Sequence, residues 1–329
     1  MKDVIELLSS KQSFIISSHI APDPDAIGSS AALALALFRL GKQVTLYYVD
    51  PVPRSMRRLT ALLPQEIAIV HQPPKLSVDA VVVTDTASKP RVGPQVNEVC
   101  ACGKTVVNID HHISNDGWAV MNHIDPSAAA SAQIIASIVD CLGARAGKVL
   151  WDGLLADFLY AGLMDDTGSF RFNNTDQKAL TSAAELVQYG ARPSDISRDI
   201  YYTVPLRILK LRAHVLSEMQ LLEDGKLTVI AVSQAALNQY ACSSEDTEGL
   251  VDEGRLVEGT LASVLVREMG DGFWKLSLRS KYDDLDVGAV AAKFGGGGHK
   301  AAAGCKIAGS KEQVITTITE AMRLAFAAR

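Results

Sequence analysis

The sequence predicts an α/β protein in which a doubly wound, mainly parallel sheet is joined by a helical connector to a smaller α/β C-terminal domain. Two observations carry this expectation. Short, near-continuous apolar runs alternate with amphipathic stretches through the first half of the chain, as in a parallel sheet covered on both faces. The chain has 329 residues, 48% of them hydrophobic, which is too much for one ordinary core and enough for two. The expected division is 1–190 for the first domain, 191–225 for the connector and 226–329 for the second domain.

Taken in order, the N-terminal MKDVIELLSSKQ has an acidic, helix-like pattern rather than that of a signal peptide. A strand at 13–18 (SFIISS) leads into HIAPDPDAIGS at 19–29, and 30–40 (SAALALALFRL) reads as a helix. Pro22 and Pro24 disfavour helix at the residues before them, so Asp23 and Asp25 are expected to be extended and to point to different sides. Strands are expected at 43–49 and 66–70, with a helix at 53–63 between them, and again at 79–84 (DAVVVT) and 104–109 (KTVVNI). Helical patterns follow at 127–142, 149–163 and 176–189. The connector contains two more, at 193–201 and 205–222, and then a turn at 223–226. Strands at 227–232, 261–267 and 273–279, a turn at 269–272 and a short helix at 286–294 complete the second domain.

Composition narrows the function. A net charge of −5 and a pI near 5.8 argue against coating long duplex or single-stranded nucleic acid, which needs many Lys and Arg contacts to phosphate. A short anion in a local basic pocket is compatible, and from 275 to 306 six Lys or Arg face three acidic residues. The five cysteines lack CxxC spacing and read as reduced thiols. No run of about 18 or more apolar residues occurs, so no membrane partner is expected and a cytoplasmic location is.

Chemistry-bearing residues collect where strands end. His19, Asp23 and Asp25 follow the first strand, Asp85 follows DAVVVT, and Asp110-His111-His112 follows KTVVNI. Asp166 lies where a helix gives way to a Gly-containing turn. In an open α/β sheet the carboxyl edge is where ligands bind. Any one of these aspartates could cap a helix, and a lone His more often packs than ligates. Several such clusters at one edge would repel one another unless cations neutralise them. Imidazole mixed with carboxylate, without thiolate, suits Mn²⁺, Fe²⁺, Co²⁺ or Zn²⁺. Around six ligand residues are too many for one ion and fit a pair that clamps a phosphoryl group.

The ordered motifs HxxPDxDAxGS, DTAS at 85–88, DHH at 110–112 and DTGSF at 166–170, with the glycine run at 295–298, resemble those of the DHH phosphoesterase superfamily. The likeness is to its branch of bacterial nanoRNase and 3′-phosphoadenosine-5′-phosphate (pAp) phosphatases, which carries a DHH-associated C-terminal domain. The resemblance implies two divalent ions, most often Mn²⁺, and two-metal activation of a bridging water. His19, Asp23 and Asp85 would hold one ion; Asp25, Asp85, His111 and Asp166 would hold the other. Asp110 would orient an imidazole, and His112 would stabilise or protonate at the scissile phosphate. Asp165 departs from the pattern, because the family usually carries a neutral residue there.

The resemblance also implies a cleft between the domains, lined on the substrate side by Arg279, Ser280, Gly296, Gly297, Gly298, His299 and Lys300. Arg279 would offer a two-pronged guanidinium, although on charge pattern alone Arg279 and Lys281 equally suit an exposed strand face. The glycines let backbone amides approach an anion, or they form a flexible linker. The expected activity is 5′-to-3′ hydrolysis of very short oligonucleotides and linear dinucleotides such as pApA or pGpG, together with pAp phosphatase activity. A homodimer is compatible with the resemblance. The rivals are a pyrophosphatase or exopolyphosphatase of the same superfamily, a non-catalytic nucleotide-binding protein, and a long-strand exonuclease, which the length and acidity disfavour.

Overall fold

In the computed structural model, which describes every residue except Asp283 and His299, the apolar runs of the first half become six parallel strands. The first unit, Met1–Thr203, contains α1 (Lys2–Ser10), β1 (Ser13–Ser17), α2 (Pro24–Arg39), β2 (Gln43–Tyr47), α3 (Arg57–Thr60), β3 (Ala68–Val70) and β4 (Val78–Thr84). It continues through α4 (Val96–Cys102), β5 (Gly103–Asp110), β6 (Met121–Ile124), α5 (Ser131–Ala146), α6 (Gly153–Asp166), α7 (Gln177–Gln188) and α8 (Pro193–Tyr201). The strand order is β3-β2-β1-β4-β5-β6. The chain therefore reverses its direction of travel across the sheet between β1 and β4, the switch point at which doubly wound sheets bind ligands. Both central strands are buried on both faces. Phe14, Ile16, Ala80 and Val82 join one core layer, while Ile15, Val81 and Val83 join the other.

Several boundaries differ from the sequence expectation for identifiable reasons. Helix α2 begins at Pro24, where a missing N–H costs nothing, and Asp23 caps it by accepting from the Ala26 amide at 2.9 Å. Asp25 is thus helical rather than extended. The helix expected at 53–63 is a 3₁₀ turn, Arg54–Met56, running into the single-turn α3. Helices α5 and α6 each start four residues late. Asp125 holds the Ser127 amide and hydroxyl in a turn, and Asp152 caps α6. The sequence reading did not pick out α4 or the edge strand β6.

The second unit, Val204–Arg329, contains α9 (Leu206–Ser217), β7 (Gln220–Leu222), β8 (Leu227–Val232), α10 (Gln234–Gln239), α11 (Leu250–Arg255), β9 (Ala262–Gly270) and β10 (Phe273–Ser280). It ends with α12 (Val287–Ala292), β11 (Gly297–Gly298), β12 (Ala302–Ala308) and α13 (Lys311–Ala327). Its sheet runs β11-β12-β10-β9-β8-β7, with β8 and β9 parallel and the other pairs antiparallel. The stretch 191–225 divides: Ile196 of α8 lies in the core of the first unit, and Leu211 and Val215 of α9 pack with Ile230 and Leu250 of the second. The helix expected to reach 222 stops at Ser217, where the chain turns into β7. Left-handed Asp271 and Gly272 make a two-residue hairpin turn, tighter than the four residues expected, so β9 extends to Gly270. Among the described residues no helix is long and apolar enough to cross a membrane.

Candidate metal centre

The carboxyl ends of β1, β4 and β5 and the C-terminus of α6 bring the acidic and imidazole residues together. Ligand atoms of His19, Asp23 and Asp85 lie within 4.8 Å of one another, as do those of Asp85, His111 and His112, and those of Asp25, His111 and Asp166. Asp85 joins two of these groups. Its backbone is left-handed, φ +53°, at the turn that ends β4, a conformation Asp tolerates better than most residues. Its Oδ2 is 3.4 Å from His19 Nε2, while its Oδ1 is 3.5 Å from His111 Nε2. His19 Nε2 is also 3.5 Å from Asp23 Oδ2, and His111 Nε2 is 3.1 Å from Asp166 Oδ2. Asp23 thus caps α2 with one oxygen and faces the cluster with the other, so capping and ligation do not compete.

Both imidazoles are oriented from behind. His19 Nδ1 stands 2.8 Å from the Ile20 carbonyl and His111 Nδ1 3.3 Å from that of Ala128, so Nδ1 donates and Nε2 faces the carboxylates. Helices α2 and α6 meet nearly backbone to backbone. A Cβ at Gly28 would lie 2.3 Å from the Phe158 carbonyl oxygen, and one at Gly162 would lie 2.5 Å from Asp25 Oδ1. That close approach sets Asp25 beside Asp166.

Carboxylates are in excess at the centre, and a bound cation would offset them. Five carboxylates (Asp23, Asp25, Asp85, Asp110, Asp166) face three imidazoles (His19, His111, His112), so fully ionised carboxylates outnumber the imidazoles even when every ring is protonated. Burial alone would lower His19, but Asp23 and Asp85 outweigh it and raise the imidazole to about 11. Burial is likewise overcome at His111, chiefly by Asp166 and Asp85, which raise it to about 10. Burial, only partly opposed by His111 and reinforced by Asp85, pushes Asp166 up to about 6. Burial and the charges of Asp85 and Asp166 also push Asp25 upward. The donor set fits a divalent cation: two ligands bound to one such ion at about 2.0–2.2 Å stand roughly 3–3.5 Å apart, which is the range of the Nε2-to-carboxylate separations.

Asp110, fully buried, accepts from His112 Nδ1 at 2.7 Å. Its other oxygen accepts from Asn115 Nδ2, which also bonds Asn108 Oδ1 at 2.8 Å. Asp110 and the weaker pull of Asp85 overcome burial and raise the His112 imidazole. Asp165 belongs to none of the three groups, and its charge acts instead on the Tyr201 phenol, which burial already pushes up. Sequence reasoning missed Asn115, whose only signal was its place three residues after DHH, and Ser131, whose hydroxyl donates to Asp85 Oδ1 at 3.1 Å.

The expected substrate residues are less uniform. Arg279 and Ser280 alternate on β10, and Ser280 lies on the buried side with Trp274, Leu276 and Leu278. Gly295 and Gly296 donate their amides to the Ala292 and Ala291 carbonyls, closing the end of α12. A Cβ at Gly296 would lie 2.2 Å from the Gly304 oxygen, and one at Gly298 would lie 2.4 Å from that of Ala302. These two glycines are therefore required by close packing on β12, while Gly297 faces open space. Lys300 is exposed beside them. His299 lies outside the described residues.

Fold and cluster define the class: a two-unit α/β protein whose first sheet gathers a carboxylate–imidazole centre of the kind used to bind divalent ions in phosphoesterases. The particular family follows from comparison with known proteins. The model of the DHH family, N-terminal domain, matches residues 13–163, and that of the DHHA1 domain matches 225–327. A Thermus thermophilus protein described as a bifunctional oligoribonuclease and PAP phosphatase NrnA is 35% identical over 98% of this chain and 93% of its own. A Bacillus subtilis protein of the same description is 28% identical over 93% of this chain and 92% of its own. The chain belongs to the DHH family. The crystal structure of an exopolyphosphatase-related protein from Bacteroides fragilis shares the fold with a TM-score of 0.89, at 23% identity, covering 98% of this chain and 95% of the other.

Proposed function

We propose that this protein hydrolyses very short oligonucleotides and linear dinucleotides to mononucleotides and removes phosphate from pAp. The observation that carries the reading is Asp85, shared between neighbouring ligand groups at the β1/β4 switch point. The likeness to the Thermus and Bacillus oligoribonuclease and PAP phosphatases supports the substrate class.

In this reading the centre holds two ions, both Mn²⁺. His19, Asp23 and Asp85 hold one, and Asp25, Asp85, His111 and Asp166 the other. A divalent ion there supplies a Lewis acid for a phosphoryl oxygen and makes water a stronger nucleophile at neutral pH. Asp110 fixes the His112 ring through Nδ1, and His112 stabilises charge at the phosphate or protonates the departing oxygen. Arg279 grips a terminal phosphate, Gly297 gives a nucleotide room against the backbone, and Lys300 adds local positive charge. The same reading places the enzyme in the cytoplasm, where its five free thiols stay reduced.

The test is a hydrolysis panel of the Mn²⁺-loaded protein on two- to five-nucleotide RNAs, pApA, pGpG, pAp, cyclic dinucleotides, pyrophosphate and polyphosphate. Release of mononucleotides from the short RNAs and of phosphate from pAp is expected. Turnover of pyrophosphate or polyphosphate alone would replace this reading with the pyrophosphatase one.

A further inference from the structure

Helix α5 lacks a cap of its own. Ala130 stands at the cap position and offers no side-chain acceptor, so the first amides of the helix need partners from elsewhere. Asp25, from α2, supplies them. Its Oδ2 accepts from the Ser131 amide at 2.7 Å and its Oδ1 from the Ala132 amide at 2.9 Å. The Ser131 hydroxyl meanwhile donates to Asp85 Oδ1 at 3.1 Å, and Ser131 is fully buried. One residue therefore holds two carboxylates from two different elements. The bond to Oδ1 also fixes the plane of the Asp85 carboxylate, turning Oδ2 toward His19 and Oδ1 toward His111.

We propose that Ser131 is a positioning residue of the metal centre: its amide and hydroxyl fix Asp25 and Asp85 relative to each other, so that a second cation can be held beside the first. This rests on the metal-binding reading above. In that reading Asp85 must present one oxygen to each side, and a carboxylate free to rotate would favour whichever ion arrived first. Ser131→Ala removes the hydroxyl but keeps the amide bond to Asp25, so the helix stays capped and only the Asp85 restraint is lost.

The test is calorimetric titration of metal-free protein with Mn²⁺, beside melting curves taken without metal. Wild type should bind two ions. Ser131→Ala should weaken the second by roughly 10–100-fold, the usual cost of removing a group that orients a ligand. Ser131→Cys, nearly isosteric and with a weak donor, should fall between. A purely structural role would instead lower the metal-free melting temperature and leave the affinity of the folded protein alone. Should Ser131→Ala lose its fold by circular dichroism, the cysteine variant carries the test. Two ions bound with wild-type affinity in the folded variants would overturn the positioning role while sparing the metal centre. Absence of binding by wild type would overturn both.

Discussion

The carboxyl edge of the first sheet and the β10 face of the second carry opposite charge by opposite means. In the first unit, carboxylates from separate elements, spread from Asp23 to Asp166, are brought together and steadied by imidazoles, helix amides and a serine. In the second, cations lie side by side along antiparallel strands: Lys275 is in register with Arg267 on β9 and Lys306 on β12, and Arg279 follows on the same face of β10. Burial lowers Lys275, and the charges of Arg267 and Lys306 lower it further. Burial also lowers Arg279, although Asp252 opposes it. Each region gathers like charges, negative in one and positive in the other. In the proposed reading the first would serve metal cations and the second a phosphate.

Substitutions can break this comparison, and the largest effect is expected at Asp85. Asp85→Ala removes the shared carboxylate and should cut kcat by about a thousandfold or more, since a metal ion supplies several kcal/mol to phosphoryl transfer; single-turnover kinetics with Mn²⁺ would measure it, and near-normal turnover would end the two-ion assignment. On the other side, Arg279→Ala should raise KM by about 10–100-fold with kcat largely kept, the loss of one charge-assisted contact. A fall in kcat alone would move Arg279 from grip to chemistry.

Gly162→Ala probes how the anionic side is built. Its new Cβ would meet Asp25 Oδ1 at 2.5 Å, so Asp25 or α6 must shift. A stability loss of about 1–3 kcal/mol in urea melts is expected, together with weaker Mn²⁺ binding. The last effect, up to about tenfold per pH unit for each proton displaced, concerns pH. Proton and metal compete for Nε2 of His19 and His111, whose values stand raised to about 11 and 10 in the metal-free fold. Their pairing with carboxylates stabilises that fold fully below the ordinary 6.5 and is lost as pH rises through the raised values. Mn²⁺ affinity should accordingly climb from pH 6 to 9 while metal-free stability falls. An affinity flat across that range would remove the imidazoles from the ligand set.

The three groups at strand ends were legible because each sits within a few residues of a strand end that hydrophobic patterning marks clearly. Their supports were not. Ser131 opens a helix in an alanine-rich stretch and meets Asp25 only across 106 positions, and Asn115 reaches Asp110 from a loop without periodicity. Pro24 misled for a physical reason: the rule that a proline repels helix before it holds for Asp23, yet the same proline starts α2 and carries Asp25 into it. In the second unit the glycines were visible, but the need of Gly296 and Gly298 to lie against β12 is a tertiary fact. So is the burial of Ser280, which follows from the alternation of β10 once the core side is known.

The backbone glycines where α2 meets α6 have one more consequence. Because Asp25 and Asp166 stand on helices in contact, while Asp85 and His111 directly follow β4 and β5, ions held by these residues would bind only after all four segments have docked. Metal occupancy should therefore report on folding itself: a chain retaining its ions through a desalting column has assembled from β1 to α6. At a free ion concentration one hundred times Kd, that retention would resist unfolding by about 2.7 kcal/mol per site. A cell that starves such a protein of metal would lose its fold margin along with its activity.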